Sequence, residues 1–85
     1  MSFNISNHAR DQMTLRGIEE NVVLEILNDP AQCIEKNDFT IYQSIIIEGD
    51  KQYLIRVFVN QYKNPPLVIT VYKTSKISKY YEGDL

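Results

Sequence analysis

One histidine, one cysteine, three glycines, three prolines and no tryptophan leave this chain of 85 residues few of the side chains that usually announce a chemistry. Cys33 stands alone, so neither an internal disulfide nor a cysteine-based zinc site can form. It is expected to be a small buried apolar residue, as free cysteine usually is. His8 stands alone too, and no Asp or Glu cluster has ligand spacing, so no resident metal and no other cofactor is expected. Three isolated glycines make no phosphate-cradling loop, and no serine lies in a GxSxG sequence. No apolar run approaches the ~20 residues of a membrane span. The opening Met1-Ser2-Phe3-Asn4 lacks the charged-then-apolar pattern of a signal peptide, so no membrane partner and a cytoplasmic location are expected.

What is present is an ordinary globular composition, 44% hydrophobic and 24% charged, enough for one domain over 1–85. A domain of this size buries roughly two-thirds of its unfolded surface, so the core is modest. Net charge is −2, but the total conceals a segregation. Residues 1–50 hold nine acidic and three basic residues. Residues 51–81 hold six basic ones (Lys51, Arg56, Lys63, Lys73, Lys76, Lys79), no acid, and five of the six tyrosines. Such a field attracts phosphate and tyrosine can stack on bases, which suits single-stranded RNA. The plainer reading is that these lysines solvate exposed strands and blunt a sheet edge.

The stretch from Asn7 to Ile18 organises the chain. Ser6 or Asn7 can cap a helix there, and Gly17 can take the left-handed conformation that ends it. Ala9 and Met13 mark the inward side at i, i+4 spacing, with Arg16 between them in azimuth. Glu19 and Glu20 open a second helix at the positive end of its dipole, and Val22, Val23, Ile26 and Leu27 form its apolar face. Asn28-Asp29-Pro30 stops it. The period then changes to two, giving strands over 32–36, 39–48, 52–60 and 67–73, with Gly49-Asp50 as a two-residue hairpin turn. Phe3–Ile5 reads as a lead-in or edge strand, and Thr74–Tyr81 as a helical turn or a tail. The expected fold class is α+β, with two N-terminal helices packed on one face of a roughly four-stranded antiparallel sheet.

Alternation suggests which sheet face meets those helices. Phe39, Ile41, Ile45 and Ile47 are expected to do so, with Gln43 intruding, together with Tyr53, Ile55, Val57 and Val59, and with Leu67, Ile69 and Val71. Thr40, Tyr42, Ser44, Arg56, Thr70 and Tyr72 then make an open polar and aromatic surface.

Without a metal, a suitable substrate is one that brings its own nucleophile. RNA does, because its 2′-hydroxyl attacks the adjacent phosphate once a base removes the proton and a cation neutralises the developing charge. His8 is the candidate base or acid, and Arg16 and Arg56 are candidate phosphate clamps. Tyr42, Thr70, Tyr72, Lys73, Lys76, Lys79 and Tyr80 are candidate RNA-binding residues. The structural alternatives are a histidine bonded to a backbone carbonyl, an Arg16 pair with Glu20 or Glu25, and a solvated Arg56. A non-catalytic module binding RNA or a protein through the same face is the reading from a different class.

His8-Ala9, Met13 and Arg16-Gly17-Ile18, followed by an acidic-start helix and a strand-rich half ending in Val68-Ile69-Thr70-Val71-Tyr72, resemble an uncharacterised family of small bacterial domains whose usual opening is HAxxRMxxRGI. That family is similar to RelE- and BrnT-type toxins, grouped with barnase, EndoU and colicin nucleases by a RelE-like fold. The resemblance implies an endoribonuclease (mRNA interferase) toxin of a type II toxin–antitoxin pair. It implies RNA as substrate, a small cognate antitoxin as partner, and the ribosome or a second copy of the chain as further partners to test. The motif histidine maps to His8 and the motif arginine to Arg16, with a strand arginine and a terminal-strand hydroxyl at Arg56 and Thr70. Gln12 replaces the arginine usual before the methionine, with Arg10 as the neighbouring charge. The acidic net charge departs from the basic habit of ribosome-dependent relatives.

Overall fold

Ser6 sets the frame: its backbone is extended, and its Oγ accepts from the Ala9 N–H at 3.0 Å while donating to the Ile69 carbonyl. One hydroxyl therefore caps helix α1 (Asn7–Arg16) and ties it to the strand β5 (Leu67–Thr74). At the other end Gly17 adopts φ 66°, the Gly17 N–H reaches the Thr14 carbonyl and the Ile18 N–H the Met13 carbonyl. This two-bond stop needs a left-handed residue, which glycine supplies without steric cost. The computed structural model describes residues 2–83.

After the turn, α2 (Glu20–Asn28) buries Val23, Ile26 and Leu27, with Val22 partly buried beside them. The chain continues through β2 (Gln32–Glu35), β3 (Thr40–Glu48), β4 (Lys51–Asn60), β5 and a final helical turn α3 (Ile77–Tyr80). The four strand bounds match the sequence periods to within a residue, and α3 occupies 77–80 of the turn or tail expected over 74–81. The sheet, however, has five strands in the order β1-β5-β4-β3-β2, because Asn4–Ile5 forms β1, parallel to the start of β5. The fold is thus α+β with a mixed five-stranded sheet and three helices, and the four-stranded antiparallel picture is corrected in both respects.

The main core lies between α1, α2 and one sheet face: Ala9, Met13, Val23, Ile26 and Leu27 meet Ile55, Val57, Val59, Val68 and Val71. For β4 this is the face the alternation predicted. For β3 it is the reverse. Tyr42 pairs opposite Val57, and Tyr42 and Ile46 pack against the core, so Ile41, Gln43 and Ile45 belong to the other side. Residues directly opposite on paired strands share a face, and both alternating sets of β3 are rich in apolar residues. Alternation alone therefore did not decide between them. On β5 a register shift opposite Phe58 and Val59 changes the phase, turning Val68 inward in place of Leu67 and Ile69.

One smaller expectation also changes. Cys33 is exposed, because β2 is an edge strand and its outer side has no cover. Leu15, off the Ala9–Met13 side of α1, is 77% exposed. No helix among the described residues is long and apolar enough to cross a membrane.

Candidate nucleic-acid interface

Strand register builds the site. Gln32 pairs opposite Gln43, Gln43 opposite Arg56, and Arg56 opposite Tyr72, so four side chains form a row across β2, β3, β4 and β5 on the face away from α1 and α2. Neighbours in such a row are about 4.8 Å apart along the sheet. Gln43 is fully buried and bonds in three directions. Its Oε1 accepts from Arg56 Nε at 3.0 Å, and its Nε2 donates to Gln32 Oε1 at 2.7 Å and to the Tyr80 carbonyl at 3.2 Å. A polar side chain is stable in that position only because donor and acceptor are both used.

The row also fixes the C-terminal segment. Gln32 accepts from the Glu82 N–H at 3.0 Å and donates to the Glu82 carbonyl, so the stretch carrying α3 lies over the face the sequence left open. Tyr80 then covers Arg56, whose Cζ is 4.5 Å from the Tyr80 ring centroid and 5.3 Å from that of Phe58. Tyr72 meets Tyr80 edge to face at 6.0 Å. From the end of α1, Arg16 reaches the same group, its Cζ 4.9 Å from the Tyr72 centroid and its Nε donating to Gln12 Oε1. Lys79 Nζ lies 5.3 Å from the Tyr80 centroid.

Cations and phenols shape each other here. Burial pushes the Arg56 guanidinium below its usual value, opposed by Tyr80, Tyr72 and Glu82, yet a guanidinium does not lose its charge in a protein. Burial raises Tyr80, but the hydrogen bond and charge of Lys79, the Tyr72 hydrogen bond and the Arg56 charge outweigh it, so this phenol titrates below the usual tyrosine. With Nε committed to Gln43, the other guanidinium N–H groups of Arg56 have no acceptor among the described residues. Forked donors beside exposed ring edges match phosphate and base stacking respectively.

The candidates divide into groups. Arg16, Arg56, Tyr72, Tyr80 and Lys79 come together; Thr70 is on the same face, opposite Phe58. Tyr42 does not belong, because it faces the helices and meets Phe3 edge to face. Lys73 turns to the helix side, lies 4.6 Å from the Tyr53 centroid and pairs with Glu48. An open cavity of about 440 Å³ lined by Arg16, Tyr53, Lys73, Thr74 and Ser75 continues the cationic surface round the end of β5. Lys76 precedes α3, its N–H bonded to Thr74 Oγ1. His8 is exposed in the first turn of α1 and makes no side-chain hydrogen bond among the described residues. Glu20 is held by Arg10 at 2.6 Å, not by Arg16. The residues the sequence reading missed are Gln32 and Gln43; the one signal was a glutamine inside an apolar strand.

Among the described residues, no three of His, Cys, Asp and Glu gather as a metal site would require. No curated protein and no solved structure matches the chain. A family model does, over residues 5–73, a span running from β1 almost to the end of β5 and holding Arg16, Gln43, Arg56 and Tyr72, and the chain therefore belongs to the family described as a domain of unknown function, DUF4258.

Proposed function

We propose that this domain is a metal-independent endoribonuclease acting on single-stranded RNA in the cytoplasm, and the toxin of a toxin–antitoxin pair. The observation that carries the reading is the meeting of Arg16 and Arg56 with Tyr72 and Tyr80 on one face. Arginine forks neutralise phosphate, and tyrosines hold bases without demanding a sequence. In the reaction His8 takes the 2′-hydroxyl proton, the freed oxygen attacks the adjacent phosphorus, and the bond to the 5′-oxygen breaks, that oxygen taking a proton from water, to leave a 2′,3′-cyclic phosphate and a 5′-hydroxyl. Arg56 and Arg16 stabilise the charge that builds on the phosphoryl oxygens. His8 lies eight residues before Arg16, about 12 Å along the helix axis. Joint action therefore requires the scissile phosphate at the edge of β5, between the two. The reading also draws on the resemblance of the opening motif to that of a small-domain family similar to RelE- and BrnT-type toxins, and a small antitoxin covering the active face is the partner it calls for.

A second reading is favoured by one observation: among the described residues, no hydrogen bond ties His8 to the arginine–tyrosine group. In that case the face binds RNA without cutting it. Purified protein incubated with RNA in EDTA separates the two. The nuclease reading expects cleavage that His8→Ala and Arg56→Gln each reduce at least tenfold. Binding without cleavage in the wild type supports the second reading and sinks the first.

A further inference from the structure

The acidic half of the chain also acquires a place in the fold. Between α2 and β3, on the helix-bearing side, two cavities of about 270 and 180 Å³ share Val22 and Ile46 as walls and so form one trough. Ile18 and Ile26 line its floor, and Val22 and Ile46, both half-buried, are its walls. Glu19 and Glu48 border one end, Glu25 and Asp29 the other. Among the described residues the one cation lining it is Lys73, already paired with Glu48.

We infer that this trough seats a basic amphipathic helix of a partner protein, apolar side chains against Val22 and Ile46 and Lys or Arg against the acidic rim. Half-buried apolar side chains lining an open groove offer an interaction surface. Four carboxylates against one committed ammonium repel RNA and attract a cationic partner, so the two faces of the molecule select ligands of opposite charge. The guest is helical because β3 is flanked by β2 and β4, leaving its backbone no free edge for an added strand. From Glu19 to Asp29 the rim runs about 15 Å along α2, the length of roughly three helical turns. This docking surface does not depend on whether the opposite face cuts RNA.

The test uses the full chain and two synthetic peptides of fourteen residues, one of leucine and lysine at helical spacing, one of leucine and glutamate, followed by fluorescence anisotropy. The lysine peptide is expected to bind and the glutamate peptide not. Val22→Ser, in the half-buried wall, and Glu25→Lys, at an exposed position, should each weaken binding about tenfold, the loss expected when one apolar side chain or one close charge pair is removed. Asp38→Lys, outside the trough, should change it less than twofold. The inference is overturned if the lysine peptide does not bind, if the glutamate peptide binds as well, or if Asp38→Lys weakens binding as much as Glu25→Lys. A dimer in sedimentation that Val22→Ser dissolves would assign the trough to a second copy of the chain and overturn it equally. RNA cleavage enters none of these readouts.

Discussion

Replacing Gln43 with leucine tests the buried row most directly. The side chain is 0% exposed and holds three hydrogen bonds, to Arg56, Gln32 and the Tyr80 carbonyl. Leucine keeps the approximate volume but leaves all three partners without their bond. Gln32, on the edge strand, and half-buried Arg56 recover part of the loss from water, whereas the Tyr80 carbonyl faces the buried row. At roughly 0.5–1.5 kcal/mol net per bond, the expected cost is about 2–3 kcal/mol, a large part of the ~4–13 kcal/mol that 85 residues at typical stability possess. For a domain of this size that lowers the melting temperature by about 10–20 °C. Circular dichroism gives the melt, and amide exchange gives the location: the Glu82 N–H, bonded to Gln32 in the same row, should exchange faster at temperatures where the α1–α2 core stays protected. A Gln43→Leu protein that melts within about 2 °C of wild type, or above it, refutes the reasoning, because the row would then be an apolar site that merely tolerates an amide.

Further outcomes follow from other parts of the structure. Ser6→Ala removes both the α1 cap and the bond to Ile69, and should cost about 1–2 kcal/mol in denaturant unfolding. Gly17→Ala meets no atom within 4 Å, so its cost is the left-handed backbone alone, about 1–2 kcal/mol by the same assay. Tyr80 should form phenolate before an ordinary tyrosine in an ultraviolet pH titration, and Arg56→Gln should move that titration up. A lowered acid pKa means the folded state releases this proton first, so the Tyr80 contribution to stability grows as pH rises through its folded value and is absent below it. Cys33, with its thiol raised by burial and by Glu35, should react with a disulfide reagent without unfolding but slowly, and Glu35→Gln should speed it.

The legible parts of the sequence were local. The cap at Ser6, the stop at Gly17, the α2 stripe, the Gly49-Asp50 turn and the limits of four strands all depend on residues within a few positions of each other, where sterics, capping and periodicity act directly. Arg56 beside Tyr72 was legible for the same reason, since both lay on strands with one clearly apolar side. β3 was not, because Ile41 and Ile45 on one side and Tyr42 and Ile46 on the other bury about equally well, and Gln43 was placed on the wrong side with them.

The sequence by itself therefore determined the elements, their order and the separation of acidic and basic halves, all consequences of short-range chemistry. Only the tertiary structure decided the face of β3, the pairing of β1 with β5 and the folding of α3 onto the Arg56 side. Each of those turns on a partner far along the chain: Val57 for Tyr42, Val68 for Ile5, and for Tyr80 a buried glutamine whose hydrogen bonds have no alternative but to be made there.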